Sequence, residues 1–299
     1  MDYNYQHKIK SAKDFESQGK LLHAIQIYKV LIEDYPDQAE SYINLADAYQ
    51  IIGQKESAER ILESIITRQP ENHELSIYFA QFLMQNKEWN RALDKLSELS
   101  SEDPFVSYLI GFIYFMQNKP ETAKLHFLRF IISDEEPELI HEAYLFLAKI
   151  EMELKQYKGA LKYANKAKIM YDNHWELYLI YARVYYNLQM YTHSAESILE
   201  GIKLNPDETQ LYEWAGKIYL KLNNFIKAKK YFEKHIDLKE SITSDDYLHL
   251  ANVCVQTGEL KEALNFFDTA IKLDPKNSSA LEGFEKTNNL INKKIASDV

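Results

Sequence analysis

The stretch that decides the fold runs from Ser244 to Asn277 and reads SDDYLHLANVCVQTGELKEALNFFDTAIKLDPKN. In its first half, four residues at helical spacing share one face: Tyr247, Leu250, Ala251 and Cys254. After a turn at Thr257 and Gly258, four more share one face of a second helix: Leu260, Ala263, Phe267 and Ala270. Pro275 ends that helix because proline has no amide hydrogen. The stretch therefore predicts two helices joined by a turn.

The landmarks of this unit recur along almost the whole chain at a period of about 34 residues. Four prolines keep that spacing or a multiple of it: Pro36, Pro70, Pro104 and Pro206. The unit resembles a tetratricopeptide repeat (TPR), in which small residues at the eighth and twentieth positions let two antiparallel helices approach closely. The resemblance implies an all-α fold, a right-handed α-α superhelix (TPR solenoid) in which each repeat packs mainly on its neighbours.

We expect a single TPR array over residues 1–292, closed by a capping helix over 278–292 with Ser278 as its N-cap, and a frayed tail over 293–299. The repeats are predicted at about 5–38, 39–72, 73–103, 104–137, 141–174, 175–208, 209–242 and 244–277. The third repeat has a shortened closing turn, and three extra residues, Glu138 to Ile140, restore the register before the fifth. This irregularity favours a hinge or an offset between the fourth and fifth repeats.

The composition agrees with a helical chain, because 8 Gly and 7 Pro in 299 residues leave little room for irregular structure. The formal charge of −10 is uneven: residues 1–140 hold 14 Lys and Arg against 23 Asp and Glu, whereas residues 141–299 hold 21 against 22. An acidic chain without a basic run repels phosphate backbones. Nucleic acid is therefore not expected as a partner.

The first twenty residues lack the apolar core of a secretory signal, which favours a cytoplasmic location. The longest apolar run, Phe105 to Met116, contains Ser107 and Gly111 and is too short to span a bilayer. No membrane insertion is expected. Because that run is apolar nearly all round, the first helix of the fourth repeat should be covered on both faces.

No pattern typical of an active site occurs in the sequence. The glycines are isolated, and the histidines stand singly without ligand spacing. Cys254 takes an inward position that Tyr or Phe holds in other repeats, which predicts a small buried hydrophobe. A single cysteine forms neither an internal disulfide nor a Cys-based zinc site. We predict a protein that is not an enzyme and has no catalytic residues, cofactor or metal site.

The resemblance implies that the first helices of the repeats line a concave groove, in which fixed positions face a bound peptide. These positions hold aromatic residues in the fourth to seventh repeats and a ladder of cations in the fifth to seventh. The candidate partner-binding residues are Tyr108, Phe112, Phe115, Phe146, Lys149, Ile180, Arg183, Tyr186, Trp214, Lys217 and Lys221. We expect a protein partner whose segment carries apolar anchors and acidic residues.

Two other interpretations of these residues stay open. Part of the aromatic set could belong to the core between neighbouring repeats, and the cations could balance nearby Glu142, Glu176 and Glu213.

The TPR co-chaperones grip a C-terminal carboxylate with Lys, Asn and Arg from three first helices. The matching places here hold Ile9, Lys13, Asn44, Glu74 and Tyr78, of which only Asn44 agrees. Chaperone tails are therefore disfavoured.

The function predicted from the sequence is a non-catalytic protein-protein interaction adaptor or scaffold that binds an extended or helical partner segment in its groove. One alternative is a structural subunit that self-associates as a homo-oligomer through the apolar fourth repeat. Another is the recognition subunit of a larger enzyme or regulatory complex.

Overall fold

The structure, a computed structural model, describes residues 3–99, 103–133 and 136–297. Helices make up nearly all of this part of the chain, and no strand occurs in it, so the predicted all-α class is confirmed. The chain forms two compact units, Met1–Phe130 and Ile131–Val299. The prediction of one continuous array concerns the relation between these units and stays a prediction.

The first unit consists of four helix pairs. Their bounds are α1 Tyr3–Ser17, α2 Leu21–Asp34, α3 Ala39–Ile51, α4 Lys55–Arg68, α5 His73–Gln85, α6 Trp89–Ser97, α7 Pro104–Met116 and α8 Pro120–Phe130. Each odd-numbered helix packs mainly on the even-numbered helix that follows it, as two antiparallel helices of one repeat must. The shortened turn of the third repeat includes residues 100–102, which lie outside the described residues.

The second unit consists of four more pairs and a final helix. Their bounds are α9 Pro137–Glu153, α10 Tyr157–Met170, α11 Trp175–Asn187, α12 Tyr191–Leu204, α13 Thr209–Lys221, α14 Phe225–Leu238, α15 Ser244–Thr257, α16 Leu260–Leu273 and α17 Ser278–Ser297. Helix α17 packs on α16 and α15, as predicted for a capping helix. The fold of tandem helix pairs with a C-terminal helix is thus confirmed.

The turn inside each of these eight pairs has the same backbone geometry. Each contains one residue with positive φ: Gly19, Gly53, Lys87, Asn118, Lys155, Gln189, Asn223 and Gly258. The steps between successive members show the irregular register directly, because Asn118 comes early relative to a uniform repeat and Lys155 is back in register. Helical hydrogen bonding stops in the left-handed region, so these residues end the first helix of every pair.

Small residues let the two helices of a pair approach. Ala58 and Ala160, at the twentieth position of their repeats, are completely buried. At the eighth position of the seventh repeat, a Cβ on Gly216 would lie 2.5 Å from Cε1 of Phe232, whose side chain is itself buried. Ring and backbone are therefore in direct contact there, and only glycine leaves room for the ring.

The structure assigns the three extra residues to a helix and corrects two predictions about the C-terminal helix. The extra residues Glu138 to Ile140 form an added helical turn of α9, which begins at Pro137, where proline is favoured because its missing amide hydrogen has no helical partner. The capping helix does not stop at 292 but reaches Ser297, while residues 298 and 299 of the predicted tail lie outside the described residues. Its N-cap is Asn277, whose Oδ1 accepts from the Ala280 amide at 3.2 Å, and not Ser278.

Candidate partner-binding surfaces

Three of the predicted contact residues are buried. Tyr108 is 7% exposed and packs edge-on against Phe127, with ring centroids 5.7 Å apart. Phe146 is 7% exposed and Ile180 only 2%. A partner cannot reach such side chains without moving the helices around them. We therefore assign these three to the core and remove them from the candidate set, in line with the alternative interpretation of the aromatic residues.

Four other predicted residues meet on the first helices α11 and α13, which contact each other. The half-buried ring of Trp214 is their centre. The Arg183 guanidinium carbon lies 5.3 Å and the Lys217 ammonium 5.2 Å from its centroid, and the Tyr186 ring packs edge-on at 5.5 Å. We call these four residues the Trp214 cluster. Cations this close to an aromatic face are attracted by its quadrupole.

The cations of the predicted ladder have carboxylate neighbours. Lys149 pairs with Glu176 at 2.8 Å, and Lys217 bonds to Glu213. These pairs agree with the alternative in which the lysines balance nearby glutamates. The ladder therefore presents less net positive charge than its sequence indicates.

Arg183 differs from the two lysines. Its Nε is buried and has no hydrogen-bond partner among the described residues. Burial lowers the pKa of its guanidinium, and the charges of Glu153 and Glu213 offset part of that effect. A buried donor without an acceptor is costly, so an acceptor supplied by a bound molecule would stabilise this side chain.

The remaining predicted residues lie apart from the Trp214 cluster. Lys221 is exposed at the end of α13. Phe112 and Phe115 are half-buried on α7, in the first unit. In that helix Val106, Leu109 and four other residues are buried, so much of the apolar surface predicted from the sequence is covered.

Phe112 forms part of an apolar pocket of about 500 Å³ between α5, α6 and α7. Its ring lies 6.4 Å from that of Trp89, centroid to centroid. The lining residues are Tyr78, Gln81, Phe82, Met84, Gln85, Lys87, Trp89, Leu109, Phe112 and Met116. The sequence had indicated Phe112 but not Trp89, which lies on the second helix of its repeat, or Met84 and Met116, which hold the same repeat positions as Phe115 and Lys221 but were not selected.

A second depression of about 520 Å³ lies beside the apolar pocket, and Gln85 lines both. Its other lining residues are Glu16, Asn44, Asp47, Gln50 and Ile51, from the first helices α1 and α3. We call it the acidic hollow. Burial raises the pKa of both Glu16 and Asp47, while the Tyr78 hydroxyl donates to Asp47. The Nδ2 of Asn44 is buried without a hydrogen-bond acceptor among the described residues.

Asp47 holds the same position of its repeat as Lys149, Arg183 and Lys217, but it was not among the candidate residues predicted from the sequence. The available signal was the excess of carboxylates in the N-terminal half of the chain. From the sequence, that excess was taken only as a property of the whole chain. In the structure, Glu16 and Asp47 line the same hollow.

Cys254 is completely buried, as predicted, and burial raises the pKa of its thiol to about 12. Ligand atoms of Cys254, Glu259 and Glu262 lie within 4.8 Å of one another, a spacing that a metal ion would fit. The Lys229 ammonium already bonds to the two carboxylates, at 2.9 and 2.8 Å. This ammonium compensates the charge that would attract a metal, and the protonated thiol is a poor ligand.

Two histidines that are far apart in sequence are neighbours in the second unit. The rings of His141 and His174 lie 5.6 Å apart, and each has a buried nitrogen without a hydrogen-bond partner among the described residues. Burial lowers the pKa of His141, and the nearby His174 lowers it further. His141 is therefore neutral near pH 7, on one wall of a polar pocket that also includes Glu142.

In the described part of the chain, every helix is either too short or too polar to cross a membrane.

Known proteins share this architecture. Family models of the tetratricopeptide repeat match four stretches of the chain, residues 39–72, 176–208, 209–242 and 244–277. These ranges agree with the predicted second, sixth, seventh and eighth repeats.

Two curated proteins match part of the chain. A stretch of 107 residues, 33% of the chain, is 35% identical to Protein O-mannosyl-transferase TMTC3 of Homo sapiens and covers 12% of that protein. A stretch of 115 residues, 38% of the chain, is 28% identical to Hsp70-Hsp90 organizing protein 3 of Arabidopsis thaliana and covers 20% of it. The chain thus matches only a small part of either relative.

Among solved structures, the APC/C hetero-tetramer Cut9-Hcn1 superimposes with a TM-score of 0.67. The match has 14% sequence identity and covers 89% of this chain and 52% of that one. At this identity the likeness concerns the fold alone. The repeating helix pairs, their uniform turns and the matched repeats lead to one conclusion: this chain is built from tetratricopeptide repeats.

Proposed function

We propose that this protein is a non-catalytic adaptor that holds a segment of a partner protein on the first-helix faces of its repeats. The observation that carries the proposal is the Trp214 cluster, in which an aromatic ring and two cations stand together, half-buried, on two adjacent first helices. Trp, Tyr and Arg side chains in such partly desolvated settings supply most of the binding energy in protein interfaces. A cytoplasmic location agrees with this role.

The geometry of Arg183 supports binding of a polar group at this place. Its buried Nε lacks an acceptor among the described residues, whereas Lys149 and Lys217 are ion-paired. A carbonyl or carboxylate of a bound segment would satisfy that donor, and Trp214 beside it would contact an apolar side chain. Of the three ladder cations, Arg183 is the one that we propose contacts the partner.

The experiment is affinity capture with the full chain from lysate of the source organism, identification of the captured protein, and titration of the purified pair. Trp214→Ala should weaken the affinity about thirtyfold, because truncation of a central interface Trp costs about 2 kcal/mol or more. The matched control is Ile226→Ala, which truncates an 83% exposed side chain on α14, the second helix of the same repeat.

Circular dichroism establishes that both variants keep their helix content. Affinity lost in Trp214→Ala and kept in Ile226→Ala supports the proposal. If both variants bind the partner as tightly as the wild type, or if only Ile226→Ala is impaired, the first-helix face of this unit is not the binding surface.

A further inference from the structure

The acidic hollow and the apolar pocket of the first unit form one continuous surface of two different characters. Gln85 of α5 lines both depressions. On one side of it lie Glu16 and Asp47, and on the other lie Trp89 and Phe112. Both depressions are lined mainly by first helices, the elements to which the proposed function assigns partner binding.

The carboxylates of the hollow are partly desolvated, and a bound cation would offset that cost. Burial is the main cause of the raised pKa of Glu16 and of Asp47, and the charge of Asp47 raises that of Glu16 further. The nearby ammonium of Lys13 is bonded to Glu40 at 2.8 Å. A positive group entering the hollow would therefore meet two partly desolvated carboxylates that have uncharged hydroxyl groups as neighbours, Tyr28 beside Glu16 and Tyr78 bonded to Asp47.

The overall charge of the first unit is negative, like that of the two carboxylates in the hollow. Residues 1–130 contain 19 Asp and Glu against 14 Lys and Arg. An acidic segment would be repelled here, whereas a basic one would be attracted at long range and held at the hollow. This differs from the acidic segment expected from the ladder of the second unit.

The apolar pocket fits one large apolar side chain. Its volume of about 500 Å³ has aromatic walls, and Met116 at its rim is 49% exposed. Methionine side chains are flexible enough to adapt to anchors of different shape. The pocket has room for Leu, Ile, Met or Phe, and such a side chain would cover part of Met116.

The helix arrangement sets the spacing between the two anchors. The hollow centres on α3 and the pocket on α5 and α7, and packed helices lie about 8–10 Å apart. An extended chain advances about 3.3 Å per residue. A segment crossing from one depression to the other therefore carries its two anchors about three residues apart along the chain.

We propose that the first unit binds an extended partner segment in which a Lys or Arg stands about three residues from a large apolar residue. The cation occupies the acidic hollow and the apolar side chain fills the pocket beside Phe112. This inference deepens the proposed function and rests on it, because it names the chemistry of the bound segment.

The test uses a random dodecapeptide library displayed on phage, selected against the full chain. We expect the selected peptides to share a Lys or Arg about three residues from an apolar residue. Binding of one such synthetic peptide is then measured by fluorescence polarisation at low and at physiological salt. Higher salt should weaken it.

The protein variants separate the two anchors. Glu16→Gln combined with Asp47→Asn should lower affinity about tenfold and abolish the salt dependence, because the change removes both carboxylates while keeping side-chain size. Phe112→Ala should lower affinity about tenfold but leave the salt dependence intact. The matched control, Glu33→Gln with Glu121→Gln, removes the same charge from exposed positions on α2 and α8 and should change affinity less than twofold.

Replacing the peptide's cation with Gln gives a test that does not depend on folding of a variant, and it should reproduce the loss seen with the double variant. Acidic selected peptides, an unchanged affinity for the Gln peptide, or no selected peptide at all would overturn the inference. The proposed function has a separate criterion, since it fails when the natural partner binds the Trp214→Ala variant as tightly as the wild type.

Discussion

Replacing Gly216 with Ala tests the closest helix contact described above. The added Cβ would lie 2.5, 2.6 and 2.7 Å from three ring atoms of Phe232. Cβ atoms almost never approach other atoms so closely, and the ring is only 1% exposed, so it cannot swing into solvent. The helices α13 and α14 must move apart or the ring must leave its rotamer.

Two opposing effects determine how much Gly216→Ala changes the free energy of unfolding. Overpacking a filled core costs about 1–3 kcal/mol, and contact with three rigid ring atoms places this case near the upper end. Alanine is better than glycine inside a helix by about 1 kcal/mol. The free energy of unfolding should therefore fall by about 1–2 kcal/mol, measured by urea denaturation followed by circular dichroism and by tryptophan fluorescence.

A double-mutant cycle with Phe232→Leu isolates the cause. Phe232→Leu alone removes three carbons from the core and should cost about 2 kcal/mol, at about 0.8 kcal/mol per carbon. In the double variant the methyl group introduced by Gly216→Ala occupies part of the space left by the ring, so the combined loss should be smaller than the sum by about 1 kcal/mol. Additive losses, or a Gly216→Ala variant as stable as the wild type, would refute the contact.

Three further predictions concern single side chains. Asp246 accepts from Lys239, from Thr243 and from His235, and although burial alone would raise its pKa, these bonds lower the pKa to about 2. Its contribution to stability is therefore complete above about pH 4 and is lost as the pH falls from 4 toward 2, and acid titrations of Asp246→Asn should show a shallower loss than wild type. Asp246→Ala should cost about 1–3 kcal/mol in thermal or urea unfolding, because it leaves the buried Nε2 of His235 and the Thr243 amide without their acceptor. Cys254 should resist alkylation by iodoacetamide at neutral pH in the native protein and react fully in guanidinium, and rapid native labelling would contradict its burial.

Much of the fold follows from local patterns in the sequence. Pro36 and Pro70 mark where second helices end, and alanines such as Ala58 mark where two helices touch, whereas Pro104, at the same spacing, begins the first helix α7. These features act within one repeat, where neighbouring residues determine the geometry. Local patterns also located the insertion at Glu138 to Ile140, although they did not show that it lengthens a helix.

The candidate surface was less predictable, because burial depends on the neighbouring repeat. Phe146, Ile180 and Trp214 occupy the same position of their repeats, yet the first two are buried and Trp214 is half-exposed. The charge that a side chain presents to a ligand was hard to predict for the same reason. Whether Lys217 attracts a ligand depends on Glu213 one turn away, and whether Asp47 does depends on how deeply its helix lies among the others.

The left-handed residue in each of the eight turns affects the stability of the repeat to which it belongs. Five of the eight left-handed positions hold residues other than glycine, among them Lys155 and Gln189. A left-handed conformation costs such a residue about 1 kcal/mol or more, and glycine would remove most of that cost without altering any buried contact. Glycine at Lys155 or Gln189 would thus change the intrinsic stability of one repeat, whereas the coupling between adjacent repeats comes from contacts such as that of α11 with α13. In a one-dimensional array these are separate quantities, so a set of turn variants would allow the coupling between adjacent repeats to be measured against a known change within one of them.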